Sequence, residues 1–127
     1  MAARYLLDSH VAFWWDQDRT RISRSVLRAV SNPDNEIFVS TVTLWELAIK
    51  KSTGKLSFGG SFTQLVAAHD FLEMPILGSH TDFIARLPWH HRDPFDRMLV
   101  AQAQAERLIL VTADRRLDAY DVGTLRA

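Results

Sequence analysis

Four acidic residues stand where the chain passes between its predicted strands and helices. Asp8 directly follows one short apolar segment, and Asp114 follows another. Glu46 and Asp96 each lie early in a predicted helix. Ligands of parallel α/β sheets bind beyond the carboxyl ends of the strands, so we expect all four carboxylates at one edge of the sheet.

Carboxylates gathered in this way repel one another. Two of them about 4 Å apart repel by roughly 4 kcal/mol at an effective dielectric constant near 20. The sequence offers no obvious fixed basic partner, which leaves protons or a divalent cation to offset the repulsion. Oxygen ligands suit the hard ions Mg²⁺ and Mn²⁺. Such an ion activates water and stabilises a leaving oxygen, so the acids favour metal-dependent phosphodiester hydrolysis.

Each acid also has an ordinary structural explanation. Asp8 and Asp114 could cap the helix or turn that follows. Glu46 could complete a capping box with Thr43. Asp96 could be a surface acid stabilised by the helix dipole. These explanations account for each acid alone better than for four acids that converge.

The segment 90–114 is the best-defined unit of the chain. Asp93 followed by Pro94 predicts a helix start, with an aspartate cap and a proline in the first turn. The alanine-rich stretch that follows favours a helix. The continuous apolar run at 108–111 predicts a strand buried on both faces.

The remaining chain alternates between predicted strands and helices. Strands are predicted at 4–7, 37–39, 71–77 and 122–125, the last two at sheet edges. Helices are predicted at 10–16, 62–69 and 81–87. Two more are predicted, one that begins at Ser23 and one that follows the strand 37–39 and ends near residue 52. This alternation predicts a three-layer α/β/α sandwich with a mainly parallel central sheet. We expect residues 1–127 to form a single domain.

Composition excludes several classes of protein. There is no cysteine, which excludes disulfides and thiol chemistry. The 15 basic and 15 acidic residues cancel, so any binding of nucleic acid must depend on a local basic patch. No apolar run is long enough for a membrane span and no signal peptide is evident, so we expect a cytoplasmic protein.

Four segments resemble those of PIN-domain ribonucleases, and more narrowly those of VapC-type toxins of bacterial toxin–antitoxin pairs. They are YLLDSH, STVTLWELAIKKSTGKL, HHRDPFDRMLVAQA and LILVTAD, in that order. Each segment carries one of the four acids, and together the segments extend over nearly the whole chain.

The resemblance implies a PIN-like fold and Mg²⁺- or Mn²⁺-dependent endoribonuclease activity on structured RNA such as tRNA or rRNA. It also implies a VapB-like antitoxin and a homodimer. The metal ligands that activate water would be Asp8, Glu46, Asp96 and Asp114. Ser9 and Thr112 could hydrogen-bond the carboxylates. Asp93 could join a second metal ion, but we interpret it as the helix cap.

A local basic rim could contact RNA phosphates. The arginines nearest to the acids in sequence are Arg92, Arg97 and Arg115, which we predict as possible RNA contacts. His90 and His91 could also touch RNA phosphates or help in proton transfer, although we interpret this pair mainly as polar surface.

Three consecutive aromatic residues, Phe13, Trp14 and Trp15, exceed what one small helix usually buries. Core packing is the ordinary explanation. Our hypothesis is that part of this face meets a second protomer or the antitoxin.

Two other functions remain as alternatives. A receiver-like signalling module also places acids and Mg²⁺ at strand ends, but it needs a phosphoacceptor aspartate after a middle strand, where the predicted strand 37–39 is followed by Ser40. A catalytically inactive binding module is disfavoured by the four intact acids.

Overall fold

The computed structural model describes residues 2–127, which form a five-stranded parallel sheet. The strands are β1 (Arg4–Leu7), β2 (Glu36–Ser40), β3 (Leu72–Met74), β4 (Ile109–Thr112) and β5 (Thr124–Arg126), in the order β3-β2-β1-β4-β5. The chain runs outward from β1 through β2 and β3 and then returns to β4 on the other side of β1. The carboxyl ends of β1 and β4 therefore flank a topological switch point, where such sheets bind ligands.

Helices cover both faces of the sheet. They are α1 (Ser9–Gln17), α2 (Arg24–Ser31), α3 (Thr41–Ser52), α4 (Phe62–Ala68), α5 (Gly78–Arg86) and α6 (Pro94–Glu106). Leu6 of β1 packs in one core cluster with Leu99 of α6. The next residue, Leu7, packs in the opposite cluster with Val11 of α1, because successive strand residues point to opposite faces. The predicted three-layer sandwich is confirmed, with a sheet that is parallel throughout.

The segment 90–114 forms as predicted. Asp93 caps α6 by accepting hydrogen bonds from the backbone N–H groups of Phe95 at 2.8 Å and Asp96 at 3.0 Å, and Pro94 occupies the first turn. The helix ends at Arg107 in the left-handed conformation (φ 56°). The strand β4 that follows is fully buried at its centre.

Two local expectations need correction, and one short element was not expected. Ser40 caps α3 through a bond from the Val42 N–H at 3.0 Å, so Thr43 lies inside the first turn and the predicted capping box is wrong. Helix α5 begins at Gly78, earlier than predicted, where the His80 ring accepts a hydrogen bond from the Leu77 N–H at 3.0 Å. A 3₁₀ turn at Arg19–Arg21 was not predicted.

The strand order argues against a receiver-like module. Receiver domains of the flavodoxin-like type have the order 2-1-3-4-5, whereas here β1 is the central strand and β3 lies at an edge. Among residues 2–127, no helix has the length and apolar character needed to cross a membrane.

Candidate metal centre

Asp8 is the most buried of the four acids, with only 4% of its surface exposed. It stands between β1 and α1, where Oδ1 caps the helix by accepting from the Val11 N–H at 2.8 Å. Oδ2 accepts the predicted hydrogen bond from the Thr112 hydroxyl at 2.6 Å, which joins the ends of β1 and β4. Burial raises the pKa of Asp8 above its usual value, although both hydrogen bonds act in the opposite direction.

Ser9 links α1 to Glu46 on α3. Its hydroxyl donates to Oε1 of Glu46 at 2.6 Å, which is the second predicted hydrogen bond to a carboxylate. The Thr43 hydroxyl lies 3.4 Å from that of Ser9. The other oxygen of Glu46 pairs with Lys50 one turn later, at 3.2 Å. The direction of the Glu46 carboxylate is therefore fixed by contacts from two helices.

Asp96 lies in the first turn of α6, at the same edge of the sheet. Burial is the main cause that raises its pKa to about 6. The negative charges of Asp93 and Asp8 raise the pKa further, and Glu46 adds a smaller effect. A contact with His91 lowers it in part. The negative charges of Asp8 and Glu46 therefore make it harder for Asp96 to ionise.

The interpretation of His91 as polar surface is wrong, because this residue belongs to the site. It is buried, and its Nε2 lies 3.0 Å from Oδ2 of Asp96 and 3.4 Å from Oδ2 of Asp114. Ligand-type atoms of these three residues all lie within 4.8 Å of one another. The only signal in the sequence was a ring nitrogen donor shortly before the capped start of α6, which reads equally well as polar surface.

Asp114 follows β4 and caps the 3₁₀ turn Arg115–Ala119. Arg116 binds its carboxylate with two side-chain hydrogen bonds, at 3.0 and 2.8 Å. These bonds are the main cause that holds the pKa of Asp114 below its usual value. Both oxygens of Asp114 are therefore already occupied, one by Arg116 alone and the other by Arg116 and His91.

The expectation that the acids lack fixed basic partners is wrong for two of them, because Lys50 pairs with Glu46 and Arg116 pairs with Asp114. It holds for the other two: within residues 2–127, no lysine or arginine forms an ion pair with Asp8 or Asp96. Repulsion acting on these two carboxylates is therefore offset only by hydrogen bonds to Asp8 and by the contact of Asp96 with His91. The close grouping that the structure shows is that of Asp96 and Asp114, whose oxygens lie within 4.8 Å of each other and of a His91 ring nitrogen, and carboxylate oxygens at this spacing fit a hard divalent cation.

The predicted RNA contact at Arg97 is contradicted by its burial. Only 4% of this residue is exposed. Its guanidinium donates to the backbone oxygen of Pro88 at 2.9 Å, lies 3.3 Å from the Tyr120 hydroxyl, and stacks on the Trp89 ring at 3.7 Å. Arg97 thus holds the loop before α6 in place. Arg92 is exposed at the surface.

The aromatic residues of α1 are mostly explained by core packing. Trp15 is 5% exposed, and Phe13 packs edge-on against Phe58 at 6.2 Å. Larger apolar surface lies elsewhere: Trp45 on α3 is 58% exposed and Trp89 is 75% exposed.

Comparisons with known proteins place this geometry in a family. The sequence pattern of the PIN domain matches residues 5–123. The chain is 33% identical over 119 residues to Ribonuclease VapC22 of Mycobacterium tuberculosis. The aligned residues cover 91% of this chain and 90% of that protein.

Solved structures with a similar fold include VapBC and toxin–antitoxin complexes. One is VapBC2 from Rickettsia felis bound to a promoter DNA fragment, with a TM-score of 0.71, 16% identity, and 97% of this chain and 98% of that chain covered. Another is a toxin–antitoxin complex from Klebsiella pneumoniae, with a TM-score of 0.66, 21% identity and 95% of both chains covered. The sequence pattern and the M. tuberculosis relative, together with this fold, show that the chain belongs to the PIN-domain family.

Proposed function

We propose that this protein is a metal-dependent endoribonuclease toxin that cleaves structured RNA and is neutralised by a VapB-like antitoxin. The observation that carries the proposal is the gathering of acidic side chains at the switch point of the sheet. Ligating atoms of Asp96, Asp114 and His91 lie within 4.8 Å of one another, and a hydrogen bond from Thr112 joins Asp8 to the end of β4. Membership of the PIN-domain family and the similarity to a named ribonuclease support RNA as the substrate.

The ion we propose is Mg²⁺ or Mn²⁺. Asp8, Glu46 and Asp96 would hold it, with Asp114 as a fourth ligand. A bound ion of this type supplies positive charge that makes water a better nucleophile and stabilises the leaving oxygen of a phosphodiester. The carboxylate oxygens already engaged by hydrogen bonds keep further lone pairs for this purpose.

The remaining polar groups orient these ligands. The Thr112 hydroxyl holds Asp8, and the Ser9 hydroxyl holds Glu46, each at 2.6 Å. Hydrogen bonds of this kind fix the direction of a ligating carboxylate before the ion arrives. Arg92 and Arg115, both exposed, are the arginines we propose for contact with RNA phosphates.

The partner we propose is a VapB-like antitoxin, because the solved structures of similar fold include several VapBC complexes. We also propose a homodimer. Co-expression with candidate antitoxins, followed by light scattering on the purified protein alone and in complex, tests both points.

The function itself is tested by incubating pure protein with total RNA and Mn²⁺ or Mg²⁺, with and without EDTA. We expect cleavage that requires the ion and is abolished in Asp8→Asn and Asp96→Asn, both of which remain folded. Equal cleavage by parent and variants would refute the assignment. Covalent labelling by acetyl phosphate without RNA cleavage would instead favour the signalling alternative.

A further inference from the structure

His91 is held rigidly in the loop before α6. Its backbone N–H donates to the Tyr120 hydroxyl at 3.0 Å, and its carbonyl oxygen lies 3.4 Å from the buried Arg97 guanidinium. The ring is also fixed, because Nδ1 accepts a hydrogen bond from the Arg92 backbone N–H at 3.0 Å. The position of Nε2 beside the acids is therefore set by the loop itself.

The bond to Nδ1 determines where the ring carries its hydrogen. A backbone N–H can only donate, so Nδ1 must present its lone pair and the hydrogen must be on Nε2. Nε2 faces Oδ2 of Asp96 at 3.0 Å and Oδ2 of Asp114 at 3.4 Å. Both of these oxygens are acceptors, which is the arrangement that an Nε2–H group requires.

We propose that His91 is a positioning residue that donates from Nε2–H to Asp96 and Asp114, and that it is not itself a ligand of the metal. This inference rests on the proposed function, because it concerns how the carboxylates of that site are held. The donor bridges the first turn of α6 and the end of β4, so it sets the spacing between these two acids.

The competing role for His91 is a nitrogen ligand, which the close grouping of His91, Asp96 and Asp114 would also allow. Ligation through Nε2 would move the hydrogen to Nδ1. There it would face the Arg92 N–H, placing two donors 3.0 Å apart. The loop geometry therefore disfavours ligation, whereas it satisfies every polar atom of the ring when Nε2 donates.

The two roles differ in the tautomer of the ring, which ¹⁵N NMR of the imidazole reports directly. The experiment uses uniformly ¹⁵N-labelled full-length protein with and without saturating Mg²⁺, and assigns His91 from the spectrum of His91→Gln. We expect the Nε2–H tautomer in both states. A change to the Nδ1–H tautomer on adding Mg²⁺ would overturn the proposal.

Metal affinity gives a second readout that does not depend on RNA. Electron paramagnetic resonance measures the concentration of free Mn²⁺ in titrations of the parent, His91→Ala and His91→Gln. Loss of a group that orients a ligand typically weakens metal binding about 10- to 100-fold, which we expect for His91→Ala. The amide of His91→Gln retains a donor, so we expect it to recover most of that loss.

The matched control is His90→Ala, which removes the neighbouring, exposed histidine and should leave Mn²⁺ affinity unchanged. Unaltered Mn²⁺ affinity in folded His91→Ala would refute the positioning role. A parent that binds Mn²⁺ with the expected tautomer but cleaves no RNA would refute the proposed function and leave the role of His91 standing.

Discussion

Removing the charge of Asp96 should stabilise the protein when no metal is present. In Asp96→Asn the amide oxygen can still accept from the Nε2 of His91, which lies 3.0 Å from Oδ2 in the parent. The substitution is nearly isosteric, so packing around the first turn of α6 is preserved. What disappears is a negative charge held near Asp8 and Asp93 in a half-buried position.

The magnitude follows from the pKa of Asp96. A rise from 3.8 to about 6 means that ionising this group in the folded protein costs about 3 kcal/mol more than in the unfolded chain. The side chain is 23% exposed, and solvent screening reduces the cost. We therefore expect Asp96→Asn to be more stable by about 1–2 kcal/mol at pH 7.5, or about 4–8 °C in Tm.

The stability of the parent should change with pH in a defined direction. Because the pKa of Asp96 is raised on folding, the folded parent keeps this proton between about pH 4 and pH 6, where the unfolded chain has lost it, and the resulting stabilisation is fully present below about pH 4. That stability is lost as the pH rises to about 6, where the carboxyl ionises in the folded state as well. The advantage of Asp96→Asn should accordingly shrink between pH 7.5 and pH 4.

Urea unfolding followed by circular dichroism, in EDTA and then in Mg²⁺, measures both effects. An ion at 100 times its Kd stabilises the parent by about 2.7 kcal/mol, so the order of stability should reverse in Mg²⁺. Asp34→Asn, which removes an exposed carboxylate far from the site, is the control for net charge. The reasoning is refuted if folded Asp96→Asn gains no stability in EDTA, or if Mg²⁺ stabilises it as much as the parent.

Three further predictions concern neighbouring residues. Ser9→Ala removes the donor to Glu46 and should lower the rate of metal-dependent RNA cleavage about 10- to 100-fold with an unchanged Tm; an unchanged rate would contradict this role. Arg116→Gln should tighten Mn²⁺ binding about two- to fivefold, because the arginine competes for Asp114 and its removal lets the pKa of that acid rise; weaker binding in a titration would count against this. Arg97→Met should cost about 1–3 kcal/mol in urea unfolding, because it leaves buried carbonyl oxygens unpaired; a loss near zero would show that these bonds are dispensable.

The features that the sequence predicted correctly depend on local interactions. Asp93 and Pro94 define the start of α6 through contacts within one turn. The apolar runs of β1 and β4 predict buried strands. The carboxyl ends of these strands place Asp8 and Asp114 at the edge of the sheet. Alternation of strands with helices then leads to the parallel three-layer fold with few alternatives.

The features that it missed depend on contacts between distant parts of the chain. Arg97 reads as polar surface next to an acid, but its side chain turns into the loop before α6 and is stacked by Trp89. The role of His91 depends on the loop lying across the end of β4, where it meets Asp114. A single sequence holds no local signal for either contact.

We propose that Asp8 and Asp96, which pair with no lysine or arginine among residues 2–127, belong to a site for a hard divalent cation. Anomalous diffraction from a crystal soaked in millimolar Mn²⁺ tests it most directly. We expect a peak about 2–2.5 Å from oxygens of both Asp8 and Asp96. A peak bound only elsewhere, or no peak while these side chains face solvent, would contradict it.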